Sequence, residues 1–318
     1  MLPSPEGLLT WVNVRVDDPA HHAVETEEKE SAMSLRDMVV LLDGSPRDDA
    51  KLAVAVSLAR QHDAHLTGLC PLELLLPADM SFALGGYPDL WALPEFAKQI
   101  ESQSRAKAGT IEGRFRELLR REGLTGDWLF EAGPLVPAVT QRVQATDLIV
   151  VGQADPENPL PAAARALVED ILMTAGRPLL LIPYAGHFNQ IGANVLVGWT
   201  PTRESARAVH DALPLLAPSA KVTVLTVETS RPGRDEDALP TADVAEHLAR
   251  HHLSVSAART VVSDGLSPAD VLLDYASDIS ADLLVVGGYG HSRTREMVMG
   301  GVTRDLLRHM TLPVLMSH

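Results

Sequence analysis

The chain has 318 residues, 46% of them hydrophobic, so its length and apolar content suit two domains with full cores. Lys plus Arg number 27 against 42 for Asp plus Glu, and the formal net charge of -15 argues against non-specific binding to nucleic acid or an anionic membrane. A single cysteine, Cys70, excludes an internal disulfide framework and a cysteine metal site; set in an apolar run, it reads as a small buried hydrophobe.

Residues 1–35 contain Pro3, Pro5, Pro19, His21-His22 and an acidic run from Glu25 to Glu30 without a sustained period, and read as a flexible tail. No third ligand is placed near His21 and His22, so no metal is expected there. Glu73, Asp79 and Asp89 break the most hydrophobic region before it reaches the length of a membrane span. With no basic, small-residue leader at the N-terminus, the expected location is the cytoplasm.

Asp37 to Asp43 is a continuous apolar run between two acids, expected as a strand buried on both faces. Gly44-Ser45-Pro46 then turns the chain into a helix over about 47–61. A strand is predicted over 64–71, a long charged helix over about 94–122, and a strand over about 127–131. Gly133-Pro134 starts a further helix to about Gln144. The strand 147–152, a helix over 162–175 and a strand over 178–182 follow. Strand and helix alternate throughout, which predicts an α/β fold: a doubly wound, mainly parallel five-stranded sheet flanked by helices.

After Tyr184 the order begins again. Val195-Leu-Val-Gly-Trp-Thr-Pro resembles Met38-Val-Val-Leu-Leu-Asp-Gly-Ser-Pro, Asp282-Leu-Leu-Val-Val-Gly repeats Asp147-Leu-Ile-Val-Val-Gly, and Leu312-Pro-Val-Leu repeats Arg177-Pro-Leu-Leu. This predicts a tandem duplication, with domains over 36–184 and 190–318. Asp43 and Thr200 lie 157 residues apart but Gly152 and Gly287 only 135, so the first half carries about 22 extra residues. They fit at 72–93, where Met80, Phe82, Tyr87 and Trp91 surround Gly85-Gly86. That insertion reads either as a lid over an apolar ligand or as a surface excursion packed on the adjacent helix.

The richest chemistry lies between the second half's fourth strand, Leu283 to Val286, and the helix opened by Gly300-Gly301. Gly287, Gly288 and Gly290 follow the strand at once. Glycines permit close backbone approach and a helix start offers free N–H groups, so a phosphate suits this place; a tight strand-to-helix turn needs the same residues. The spacing is neither a P-loop nor a complete G-x-G-x-x-G. It resembles the universal stress protein family, whose nucleotide-binding members carry G-x2-G-x9-G-Ser/Thr here. Gly287, Gly290 and Gly300 match, and Gly301 stands where the family has Ser or Thr.

The resemblance covers about Asp37 to His318 and implies two universal stress protein domains of the adenine nucleotide alpha-hydrolase-like fold. It implies an adenine nucleotide, ATP or AMP with Mg, held in the second domain by Gly287, Gly290, Gly300, Gly301, Val302, Thr303, Thr200 and His291. Ser292, Arg293, Arg295 and Arg304 are further donors near the loop. The first half has Asp155, Arg165 and Ala166 where the second has Gly290, Gly300 and Gly301, with prolines at 156, 159 and 161, so no nucleotide is expected there. In the family the first strand ends in an Asp that meets adenosine. Here that position is Asp43 in one half and Thr200 in the other, and Asp43 also reads as the acceptor that caps the following turn.

His251-His252 is expected to end a helix from Asp243, and Gly265-Leu-Ser-Pro268 to start the next. No catalytic triad, H-E-x-x-H helix or carboxylate pair is placed by spacing, and no catalytic residue is assigned. The function expected is a stress-response accessory protein acting through nucleotide state or a regulatory partner. The alternatives are a non-nucleotide binding module using 72–93 as a lid and, less favoured for want of carboxylates beyond Glu296, a weak ATP hydrolase. Pairing of Pro178–Ile182 with Pro313–Met316, as the family resemblance suggests, gives an intramolecular pseudo-dimer, with homodimerisation as a further option.

Overall fold

A computed structural model describes residues 34–71, 94–131, 135–154, 162–228, 239–262, 265–288 and 301–318. The tail and the 72–93 insertion lie outside them. The chain divides into two compact units, Ser34–Asn189 and Gln190–His318.

In the first unit the strands are β1 (Asp37–Leu41), β2 (His65–Pro71), β3 (Trp128–Glu131), β4 (Leu148–Gly152) and β5 (Leu179–Ile182). The helices are α1 (Asp48–His62), α2 (Pro94–Glu122), α3 (Leu135–Val143) and α4 (Ala162–Thr174). The sheet order is β3-β2-β1-β4-β5, with every pairing parallel. Met38, Val40, Ile149, Val150, Leu179 and Leu180 are wholly buried, as a parallel sheet covered on both faces requires. Helix α2 keeps one face inward through Ile100, Ser104, Ala108, Ile111, Phe115 and Leu119, spaced at three and four. Phe115 meets Trp128 of β3 at 5.8 Å between ring centroids. Gly68 between them leaves room that a Cβ would take, 2.8 Å from Trp128 Cε3.

The second unit repeats the plan. Its strands are β6 (Asn194–Gly198), β7 (Lys221–Glu228), β8 (Ser254–Val261), β9 (Leu283–Gly287) and β10 (Val314–Ser317). Its helices are α5 (Arg203–Ala212), α6 (Leu239–Ala249), α7 (Pro268–Asp278) and α8 (Gly301–His309). The order is β8-β7-β6-β9-β10, again all parallel. Helix α7 starts with a complete capping box: Ser267 accepts from Asp270 N and Asp270 from Ser267 N, with Pro268 as the first helical residue.

The aspartate that precedes the fourth strand of each unit has a structural task. Asp147 Oδ2 accepts from the N–H groups of Arg36 and Asp37, at 2.7 and 3.0 Å. Asp282 accepts from those of Gly192, Ala193 and Asn194, at 2.8, 3.0 and 3.1 Å. Each fastens the chain entering its unit's first strand to the neighbouring strand.

Some boundaries differ from expectation. The first strand ends at Leu41, because the backbone turns through Asp43 and Gly44, whose N–H groups bond to Asp48. Helix α6 spans Leu239–Ala249 instead of ending at His252. The N–H groups of His251 and His252 reach back three residues, and His252 is left-handed at φ 62°, which terminates the helix. Among the described residues no helix is long and apolar enough to cross a membrane.

Candidate functional site

In each unit the strand order reverses direction between the first and fourth strands, and the carboxyl ends of those strands open a crevice where ligands of such folds bind. In the second unit these are the ends of β6 and β9. Thr200 follows β6, exposed, with its carbonyl accepting from Thr202 N at 2.7 Å. Thr202 caps α5 by accepting from Ser205 N at 3.2 Å. On the other side Gly287 ends β9. A Cβ there would lie 2.5 Å from Ser205 N and 2.7 Å from the Glu204 carbonyl carbon, so the first turn of α5 rests directly on this glycine. Gly288 N donates to Ser317 O at 2.8 Å, and its carbonyl lies 3.2 Å from His318 Nδ1.

Gly301, the first residue of α8, is exposed, and among the described residues a Cβ built there would meet nothing within 4 Å. Val302 is half-buried and Thr303 buried. Thr200, Gly287, Gly301, Val302 and Thr303 therefore all lie in the second unit, Thr200 after β6, Gly287 at the end of β9 and the other three in the first turn of α8. Gly290, His291 and Gly300, with Ser292, Arg293, Arg295 and Glu296, lie outside the described residues.

Sequence reasoning missed Glu204. Its side chain is buried in the first turn of α5 beside Gly287 and bonded to Arg203 Nε. Burial alone would raise its pKa, but the Arg203 bond, its own backbone N–H and Thr202 hold it below the usual glutamate range. The signal was a Thr N-cap with an acid in the first turn, a pattern that marks a helix start and says nothing of burial.

The first unit fills the corresponding crevice with its own charges. Asp43 Oδ1 accepts from Ser45 N at 2.9 Å, which makes it the acceptor of the turn. Asp48 accepts from the N–H groups of Asp43 and Gly44. Lys51, buried at 4% exposure, places its ammonium 2.7 Å from Asp48 Oδ1, 2.7 Å from Leu41 O and 3.9 Å from Asp43 Oδ1. Its methylenes run over Gly152, where a Cβ would be 3.3 Å from Lys51 Cδ. Burial pushes Asp43 upward, yet Lys51 and the Ser45 bonds hold it at about 2. Burial raises Asp48, and the neighbouring charge of Asp43 adds to that against the pull of Lys51. Among the described residues no lysine is buried in the second unit, and no group of three or more His, Cys, Asp or Glu is placed to hold a metal.

The model of the universal stress protein family matches residues 193–318. A curated relative, universal stress protein Slr1230 of Synechocystis, is 41% identical over 46 residues; the match spans 14% of this chain and 16% of that protein. Among solved structures, a universal stress protein from Archaeoglobus fulgidus superposes with a TM-score of 0.64 at 15% identity, covering 88% of this chain and 97% of that one. A functionally unknown protein from Pseudomonas aeruginosa gives 0.51 at 17%, covering 92% and 94%. At such identities the structural likeness speaks to the fold. By sequence, the similarity to the universal stress protein family covers residues 193–318, less than half of the chain.

Proposed function

We propose that the protein is a nucleotide-responsive accessory protein of the stress response, and that its second unit binds an adenine nucleotide, ATP or AMP with Mg, at the ends of β6 and β9. Both units are read as universal stress protein domains from one duplication, supported by their shared strand order. The observation that carries the nucleotide reading is the contrast between the two crevices. One holds the buried Asp43–Asp48–Lys51 cluster. The other is bounded by Gly287 and by Gly301, at the uncrowded start of α8. A helix start whose first residue is uncrowded by the described residues suits a phosphate. Thr200 and Gly301 each replace a polar ligand of the family pattern, so affinity is expected to be weak.

Calorimetric titration of the full chain with Mg-ATP tests the reading, alongside two variants. Gly290→Asp copies Asp155 of the first unit and should abolish binding. Gly301→Ser adds the missing hydroxyl where the fold has room. One more hydrogen bond to a charged phosphate is worth about 1.5–3 kcal/mol, roughly ten- to a hundredfold in affinity. If neither the parent nor Gly301→Ser binds while both stay folded, the glycine loop is a turn and the nucleotide reading fails.

A further inference from the structure

We propose that His247 and His251 form a surface site for one divalent transition-metal ion, of the class of copper(II), nickel(II) or zinc(II). The pair arises from the way α6 ends. His247 lies in the last turn of the helix, and His251 four residues later. Residues four apart on a helix share a face, and the chain keeps turning beyond Ala249. Arg250 N bonds to the carbonyls of Glu246 and His247, at 3.2 Å each, and His251 N to that of Leu248 at 3.0 Å. This tightened turn sets the two imidazoles edge to face, with ring centroids 5.0 Å apart.

That separation is the one a shared metal needs. With metal–nitrogen bonds of about 2.0–2.1 Å, each ring centroid sits about 3.2 Å from the ion, and ligand angles from a right angle to tetrahedral put the centroids about 4.5–5.2 Å apart. The centroid spacing thus lies within the range that chelation requires, and rotation of the side chains brings one nitrogen of each ring to the ion. Its position at the carboxyl end of a helix, where the carbonyls present partial negative charge, also favours a cation. Glu246 and Arg250 occupy each other in an ion pair beside it. Among the described residues no third His, Cys, Asp or Glu joins the pair, so they supply the ion with two protein ligands. The ion is therefore exchangeable, and imidazole ligands place copper(II) ahead of nickel(II) and zinc(II), with magnesium and calcium excluded.

The test is a copper(II) titration of the tag-free full chain at neutral pH, followed by electron paramagnetic resonance at less than one equivalent. The expected spectrum carries the hyperfine pattern of two imidazole nitrogens. His247→Ala and His251→Ala, each verified as folded by circular dichroism, should weaken binding of the first equivalent at least tenfold and remove one nitrogen from the pattern. His252→Ala, one residue further on, should leave both unchanged. The proposal is overturned if the parent shows no two-nitrogen signal, if that signal survives in both variants, or if His252→Ala removes it equally.

Discussion

Lys51→Met is the most informative perturbation of the fold. It keeps the methylene packing over Gly152 and removes the ammonium that lies 2.7 Å from both Asp48 and Leu41 O. Asp48 and Asp43, at 2% and 9% exposure, are left buried without a cation. Breaking a buried pair from one side costs about 3–5 kcal/mol, a large part of the 5–15 kcal/mol that typically separates folded from unfolded. Cys70 gives a readout confined to the first unit. It is the chain's single cysteine, wholly buried in β2, and burial, with the nearby Asp48 and Asp43 charges, pushes its thiol up to about 12. Alkylation therefore requires opening, and the variant should be labelled roughly a hundred- to several-thousandfold faster than the parent. Urea denaturation across pH supplies a second arm. In the parent, the depressed Asp43 contributes about 2 kcal/mol above its ordinary value of 3.8, lost as pH falls towards 2. In the variant both carboxyls are raised instead, so its deficit is full at neutral pH and shrinks as acid protonates them. A change in labelling below fivefold, or a deficit independent of pH, would refute the account of the cluster.

The second unit yields two sharper contrasts, and Cys70 of the first unit a third. Gly287→Ala forces a Cβ against the backbone of α5 and should cost about 1–3 kcal/mol in urea denaturation, whereas Gly301→Ala meets nothing and should be neutral or slightly stabilising. Equal losses would mean that α5 does not rest on β9 as described. Asp282→Ala strips an acceptor from three N–H groups and is expected to lower stability by about 2–3 kcal/mol, with Asp282→Asn recovering part of it. In the native parent, Cys70 should resist alkylation at mildly alkaline pH and react at once when urea is added; prompt native reaction would contradict its burial.

The strands buried on both faces were plain in the sequence, since a covered parallel sheet favours apolar residues and so writes itself as Leu148-Ile-Val-Val or Leu283-Leu-Val-Val. Helix α2 was legible in its extent for a different reason: its 29 residues run without a turn signal. The role of Asp43 as acceptor of its own turn was also legible, because that bond is made two residues away. Lys51 was not. A lysine on a helix is ordinarily solvated, and its partners beyond Asp48 come from the end of β1 and exist only after the helix folds back over the sheet. The same holds for Asp147 and Asp282, whose partners lie 88 to 111 residues away. Repetition flagged those residues, but only the paired strands say what they fasten.

This division bears on how the glycine loop is to be understood. Part of what looks like a ligand fingerprint in sequence is required by packing alone: Gly287 must be glycine because the backbone of α5 occupies the space beside it. Gly152 of the first unit is glycine for a related reason, with the stem of Lys51 over it and the ammonium of Lys51 paired to Asp48. The first glycine of the motif therefore carries little information about a ligand. Gly301 is different, because nothing near it among the described residues demands a missing side chain and the helix would accept a serine there. The weight of the nucleotide reading rests on that end of the loop, and the gain or silence of Gly301→Ser, not the loss caused by Gly287→Ala, is the result that separates a phosphate site from a tight turn.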